Sequence, residues 1–88
     1  MKAGIKLNLA YQKRLGSAER VQVEGSTVKE CLDNFVIRFP AARPWLFDKD
    51  EKLQSLVLLN GENLSQGQLV RPISENDELW ILDVLEGG

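Results

Sequence analysis

Between Thr27 and Pro40 lies the stretch of this chain that repeats with a clear helical period, and it narrows the possible folds more than any other feature. Val28, Cys31, Leu32, Phe35, Val36 and Phe39 recur at intervals of three and four, while Lys29, Asp33, Asn34 and Arg38 fall on the other side. Thr27, with Glu30 three residues on, fits a capping box, in which hydroxyl and carboxylate satisfy the first free backbone donors. Pro40 stops the helix, because it lacks the donor the next turn needs and disfavours helical geometry in Phe39. One helix with one apolar stripe must bury that stripe, and the flanking segments supply a sheet for it to pack on.

Those segments repeat with period two. Ile5, Leu7, Leu9 and Tyr11 alternate with Lys6, Asn8 and Ala10, which predicts a half-buried strand over Ile5–Tyr11. A turn follows through Gly16-Ser17, and Arg20–Glu24 alternates again, completing a hairpin. After the helix, Ala41–Glu51 reads as an irregular connection anchored by Trp45 and Phe47, with room for a short helical turn. Leu53–Leu59 is the next strand; Asn60-Gly61 turns it into a short return strand, Glu62–Leu64. Leu69–Ile73 crosses back, with Pro72 excluding a central strand position, and Asn76-Asp77 leads into a final strand, Glu78–Val84. The order is β-β-α-β-(β)-β.

Composition then limits function. Eighty-eight residues make one domain. Eleven basic against thirteen acidic residues give a net charge of -2 with no basic stripe, which argues against a nucleic-acid partner. No apolar run is long enough for a membrane span and no secretory leader is recognisable, so the expected location is cytoplasmic. Histidine is absent and cysteine occurs once, which removes the usual metal-ligand and Cys/His catalytic arrangements. The chain therefore reads as a non-enzyme that binds no metal or cofactor. Cys31, on the apolar stripe, reads as a small core hydrophobe.

Two features remain for function. Gly87-Gly88, behind the last strand, make a thin thread whose carboxylate can enter a narrow active site unhindered by a Cβ; an inert tail is the alternative. In the last strand, Leu79 and Ile81 are assigned to the core, which sends Trp80, Leu82 and Val84 to the opposite face, where polar residues are the norm. With Leu58 on the third strand, Trp80 and Leu82 form a candidate partner-binding patch, unless the Ala41–Glu51 connection covers it.

The order of elements and the terminal glycines resemble the ubiquitin-like β-grasp fold: an α+β domain with a mixed sheet of four to five strands on one main helix. Within it, the chain is most similar to the small sulfur-carrier proteins of the MoaD/ThiS type, such as the small subunit of molybdopterin synthase. The phrases that carry the resemblance are Thr27-Val28-Lys29-Glu30-Cys31-Leu32, Arg38-Phe39-Pro40, Leu59-Asn60-Gly61-Glu62 and Asn76-Asp77-Glu78-Leu79. Asn76 stands where the family commonly has glycine, a mild change because asparagine also accepts left-handed geometry. Asp83-Val84-Leu85-Glu86 is bulkier and more charged than the family's usual approach to its glycines.

The resemblance implies a β-grasp domain over residues 1–84 and a flexible tail over 85–88. It further implies that Gly88 is adenylated by an E1-like enzyme that uses ATP, and that a sulfur donor converts it to a thiocarboxylate. Gly87 would extend the tail's reach, and the large subunit of molybdopterin synthase, or another sulfur-accepting enzyme, would receive the sulfur. Isopeptide bond formation through Gly88, and sulfur carriage for thiamine or cysteine synthesis, are the alternatives.

Overall fold

The computed structural model describes residues 2–83. Five strands form one mixed sheet in the order β2-β1-β5-β3-β4, with β1 spanning Lys2–Leu7, β2 Arg20–Glu24, β3 Leu56–Leu59, β4 Glu62–Asn63 and β5 Glu78–Leu82. The last strand lies at the centre, parallel to β1 (Ile5 opposite Leu79) and antiparallel to β3 (Val57 opposite Ile81).

The helical period is realised as α2, Val28–Arg38, which buries Val28, Cys31, Leu32, Phe35 and Val36 against the sheet. The Thr27 hydroxyl accepts from the Glu30 N–H at 3.1 Å, as a capping box requires, but the Glu30 carboxylate accepts from Ser26 N–H at 2.7 Å, one residue earlier than that motif predicts. Facing the helix are Ala3, Ile5 and Leu7 of β1, Val21 and Val23 of β2, Val57 and Leu59 of β3, and Leu79 and Ile81 of β5, all buried. This is the alternation expected of a sheet with one packed face.

The first predicted strand is corrected. It ends at Leu7, and a second helix, α1, occupies Leu9–Leu15. Asn8 sits in extended geometry and its side chain accepts from Tyr11 N–H at 3.2 Å, while Gly16 closes the helix at φ 62°. The period-two reading failed because Leu7 and Tyr11 are four apart as well as even-spaced, so both patterns bury Tyr11. They disagree about Leu9, which the helix turns out to 63% exposure. Further on, the third strand starts at Leu56 rather than Leu53, and Leu53 makes only an isolated bridge to Phe47. The segment Gln66–Val70 is a 3-10 turn capped by Ser65, and Pro72 makes a single bridge to Thr27, which keeps it out of the ladder.

The connection after α2 is anchored, as its aromatic content implies. A 3-10 turn, Pro40–Ala42, runs into a short helix, α3, over Arg43–Leu46. Trp45 meets Tyr11 edge to face at 5.2 Å, and Phe47 is buried. The Ser55 hydroxyl donates to the Trp45 carbonyl at 2.9 Å. With its one proton so used, Ser55 must accept from the Tyr11 hydroxyl, 2.6 Å away. Burial pushes the Tyr11 phenol up to about 12, with the charge of Asp83 adding to the rise and that of Arg14 opposing it.

Candidate functional site

Among the described residues no helix covers the face of the sheet opposite α2, and the strand registers fix what it presents. Arg20 lies opposite Lys6, Lys6 opposite Trp80, Trp80 opposite Leu58, and Leu58 opposite Asn63, making one row across all five strands. Leu82 and Leu56 are paired in the next row toward the end of β5. Trp80 is 39% exposed and Leu56 38%, while Leu58 and Leu82 are half-buried. The predicted patch of Leu58, Trp80 and Leu82 is thus brought together on one open face. The Ala41–Glu51 connection does not cover it, because it packs against Tyr11 at the α1 end of the fold. Val84, Gly87 and Gly88 lie outside the described residues, as does the boundary at 84–85.

Two apolar neighbours were missed. Leu56 lies inside the predicted strand two residues before Leu58, so period two alone places it on the same face. Leu9 joins because α1 turns it outward, and it lines the hollow beside Trp80 and Leu82 together with Lys6, Asn8 and Gln12. No local sequence signal other than the Asn8 cap would have shown this.

The patch is bordered by charge on one side. Lys6 Nζ stands 4.6 Å from the centroid of the Trp80 ring and 3.7 Å from the Glu19 carboxylate. Beyond it, Arg20 crosses β1 to reach Glu78 on β5 at 2.7 Å, a charge contact rather than a well-directed hydrogen bond. Gly4 permits that crossing, since a Cβ there would lie 2.9 Å from Arg20 Nε.

The approach to β5 is held from two turns. Asn60 donates through Nδ2 to Asp77 Oδ1 at 2.9 Å and accepts from Glu78 N–H through Oδ1 at 2.9 Å, while Asp77 Oδ2 accepts from Ser74 N–H at 2.7 Å. The Asn60 bond, followed by the Ser74 N–H, holds the Asp77 carboxyl below its ordinary value. Both turns predicted from sequence are present, with Asn60 at φ 50°, Gly61 at φ 91° and Asn76 at φ 72°. At the other end of the strand, Asn8 N–H reaches the Ile81 carbonyl at 3.4 Å. Strand β5 therefore ends in the middle of the sheet, with Leu82 in the apolar patch.

Cys31 is fully buried, and burial pushes its thiol up, which suits a core role. Among the described residues no group of His, Cys, Asp or Glu is placed to hold a metal ion, and no helix is long and apolar enough to cross a membrane.

The sequence pattern of the ThiS family matches residues 5–88. SAMP1 from Haloferax volcanii is similar in structure with a TM-score of 0.85 at 29% identity, covering 100% of both chains. A chain of the Amycolatopsis orientalis BexX/CysO complex gives a TM-score of 0.80 at 26% identity, over 98% of this chain and 99% of that one. A chain of the complex of subunits 1 and 2 of molybdopterin-converting factor from Helicobacter pylori gives 0.67 at 17% identity, over 100% of both, a likeness of fold alone. No curated protein sequence matches significantly.

Proposed function

The chain belongs to the ThiS family of small ubiquitin-like β-grasp proteins, and on that premise we propose that it is a sulfur carrier that works through the carboxylate of Gly88. A free carboxylate is a poor electrophile. An E1-like partner makes it reactive by joining it to the α-phosphorus of ATP with release of pyrophosphate. The sulfur of a persulfide donor then attacks the Gly88 carbonyl and AMP leaves; reduction of the resulting acyl disulfide by a thiol leaves the thiocarboxylate. Gly87 and Gly88 add no side chains around the reacting carbonyl.

The activating enzyme is held by the open face. Leu56, Leu58, Trp80 and Leu82 supply the apolar contact, Trp80 is its anchor, and Lys6 gives it a charged rim. The observation that carries the reading is the family match running through residue 88, together with a central β5 that carries an exposed apolar patch on its open face. The sulfur is proposed to go to cofactor synthesis, with the large subunit of molybdopterin synthase as the first acceptor to test.

A second reading is favoured by the 29% identity to an archaeal modifier protein: attack by a lysine amine on the same adenylate, giving an isopeptide bond and AMP. One experiment separates the two. The intact mass is measured after incubation with ATP, a sulfur donor and a lysate of the source organism in which a known carrier is activated. An oxygen-to-sulfur mass gain that disappears when Gly88 is removed supports carriage. Larger lysine-linked adducts without that gain support modification, and neither change overturns both.

A further inference from the structure

Strand β2 is one edge of the sheet, and its outward side is the second surface of interest. Leu7 N–H donates to the Glu19 carbonyl at 2.8 Å, and in the β1–β2 register this makes Val21 and Val23 the residues that bond β1. Gln22 and Glu24 consequently turn their backbone groups away from the sheet. Two side chains from α2 occupy the carbonyls: Asn34 Nδ2 donates to Glu24 at 2.7 Å, and Arg38 Nη1 donates to Gln22 at 2.9 Å. The two acceptors are one ladder step apart, and both donors are exposed side chains doing what a neighbouring strand's N–H groups would do.

The groove beside this edge is lined by Lys2, Gln22, Val23, Glu24, Asn34 and Arg38. It has a volume of about 290 Å³ and lies beside the outward backbone groups of Gln22 and Glu24, where a strip of extended chain could pair with them. Lys2 and Arg38 outnumber Glu24 in it, although the whole chain carries a net charge of -2.

We propose that this edge receives an extended peptide of a partner protein, acidic at its ends, which adds to β2 as a further strand. Its N–H groups displace Asn34 and Arg38 from the Glu24 and Gln22 carbonyls, and its carbonyls accept from the outward N–H groups of the same two residues. Arg38, released, pairs with a peptide carboxylate, as does Lys2. Exposed hydrogen bonds are the kind a competing strand replaces at small net cost, because four new backbone bonds form where two side-chain bonds break. This surface lies at the sheet edge, apart from the Trp80 patch, so both can be occupied together.

The test is a titration of the 15N-labelled protein with the capped peptide Asp-Val-Ile-Val-Ile-Asp, followed by amide chemical shifts. Saturable changes at Gln22, Glu24 and the Asn34 side-chain amide are expected. Gln22→Pro removes an outward N–H without touching the β1 ladder and is expected to weaken binding at least tenfold. If that variant does not fold, N-methylation of alternate peptide amides applies the same test from the other side. Changes centred on Trp80, binding unaltered by Gln22→Pro or by N-methylation, no saturable change, or shifts explained by pairing of two copies of this chain would each overturn the proposal.

Discussion

At the scale of single residues, Gly88 carries a prediction through the proposed chemistry and Tyr11 one through burial. On the proposed mechanism, Gly88→Ala puts a Cβ next to the carboxylate to be adenylated while leaving the proposed docking face untouched. The variant is expected to bind its activating enzyme with wild-type affinity but to release pyrophosphate at a small fraction of the wild-type rate; near-normal release would contradict the proposed chemistry. Tyr11 makes a stability prediction. Its phenol is raised from 10.0 to about 12 in the folded state, so between those values the unfolded chain loses the proton that the folded chain keeps. The contribution is therefore fully present below pH 10 and declines as pH rises toward 12, at no more than about 1.4 kcal/mol per pH unit. Urea unfolding of wild type and Tyr11→Phe across that range isolates this slope from lysine titration, because only the wild type should carry it. At neutral pH, Tyr11→Phe removes the donor to Ser55 and is expected to cost about 1–2 kcal/mol.

At the scale of elements, the start of α2 leaves no room for a side chain at Gly25. A Cβ at Gly25 would come within 2.7 Å of both the backbone nitrogen and the sulfur of Cys31, and the nitrogen belongs to a helix capped by Thr27 and held by the Val28 N–H to Arg71 carbonyl bond at 2.9 Å. Gly25→Ala should therefore destabilise by about 1–3 kcal/mol, the usual cost of overpacking. Gly67→Ala, with nothing within 4 Å of its Cβ, should leave the thermal midpoint nearly unchanged. The same scale shows what the sequence made legible. Thr27, Glu30, the apolar stripe and Pro40 together describe α2 to within a residue at each end, since cap, period and stop all agree. Helix α1 was hidden because Ile5, Leu7 and Tyr11 satisfy a strand and a strand followed by a helix equally well. Only Asn8 distinguishes them, and Asn8→Ala should cost about 1 kcal/mol through loss of the Tyr11 N–H bond. The Ser65–Gln68 turn stayed hidden for another reason: its capping box closes a 3-10 turn too short to show a period.

For the whole molecule, the deciding feature is the place of β5 in the sheet order. Its facing could be read from alternation alone, with Leu79 and Ile81 inward and Trp80 outward, but its position between β1 and β3 could not, because strand neighbours are set by long-range pairing. That position puts Lys6 on one side of Trp80 and Leu58 on the other, so the tryptophan is flanked across both strands and remains 39% exposed. A large apolar ring held this way contributes little to the core and much to a partner that covers it. Trp80→Ala should accordingly leave the unfolding midpoint in urea close to wild type, while weakening the activating enzyme's affinity by roughly thirtyfold, the effect of losing about 2 kcal/mol at a central anchor. Calorimetry with the purified enzyme measures the second quantity directly. Lys6→Ala removes the cation 4.6 Å from the Trp80 ring and should weaken binding less, by an amount that shrinks as salt is added. A Trp80→Ala variant that binds normally, or one that loses affinity only because it has unfolded, would remove the open face from the mechanism and leave recognition to the residues beyond Asp83.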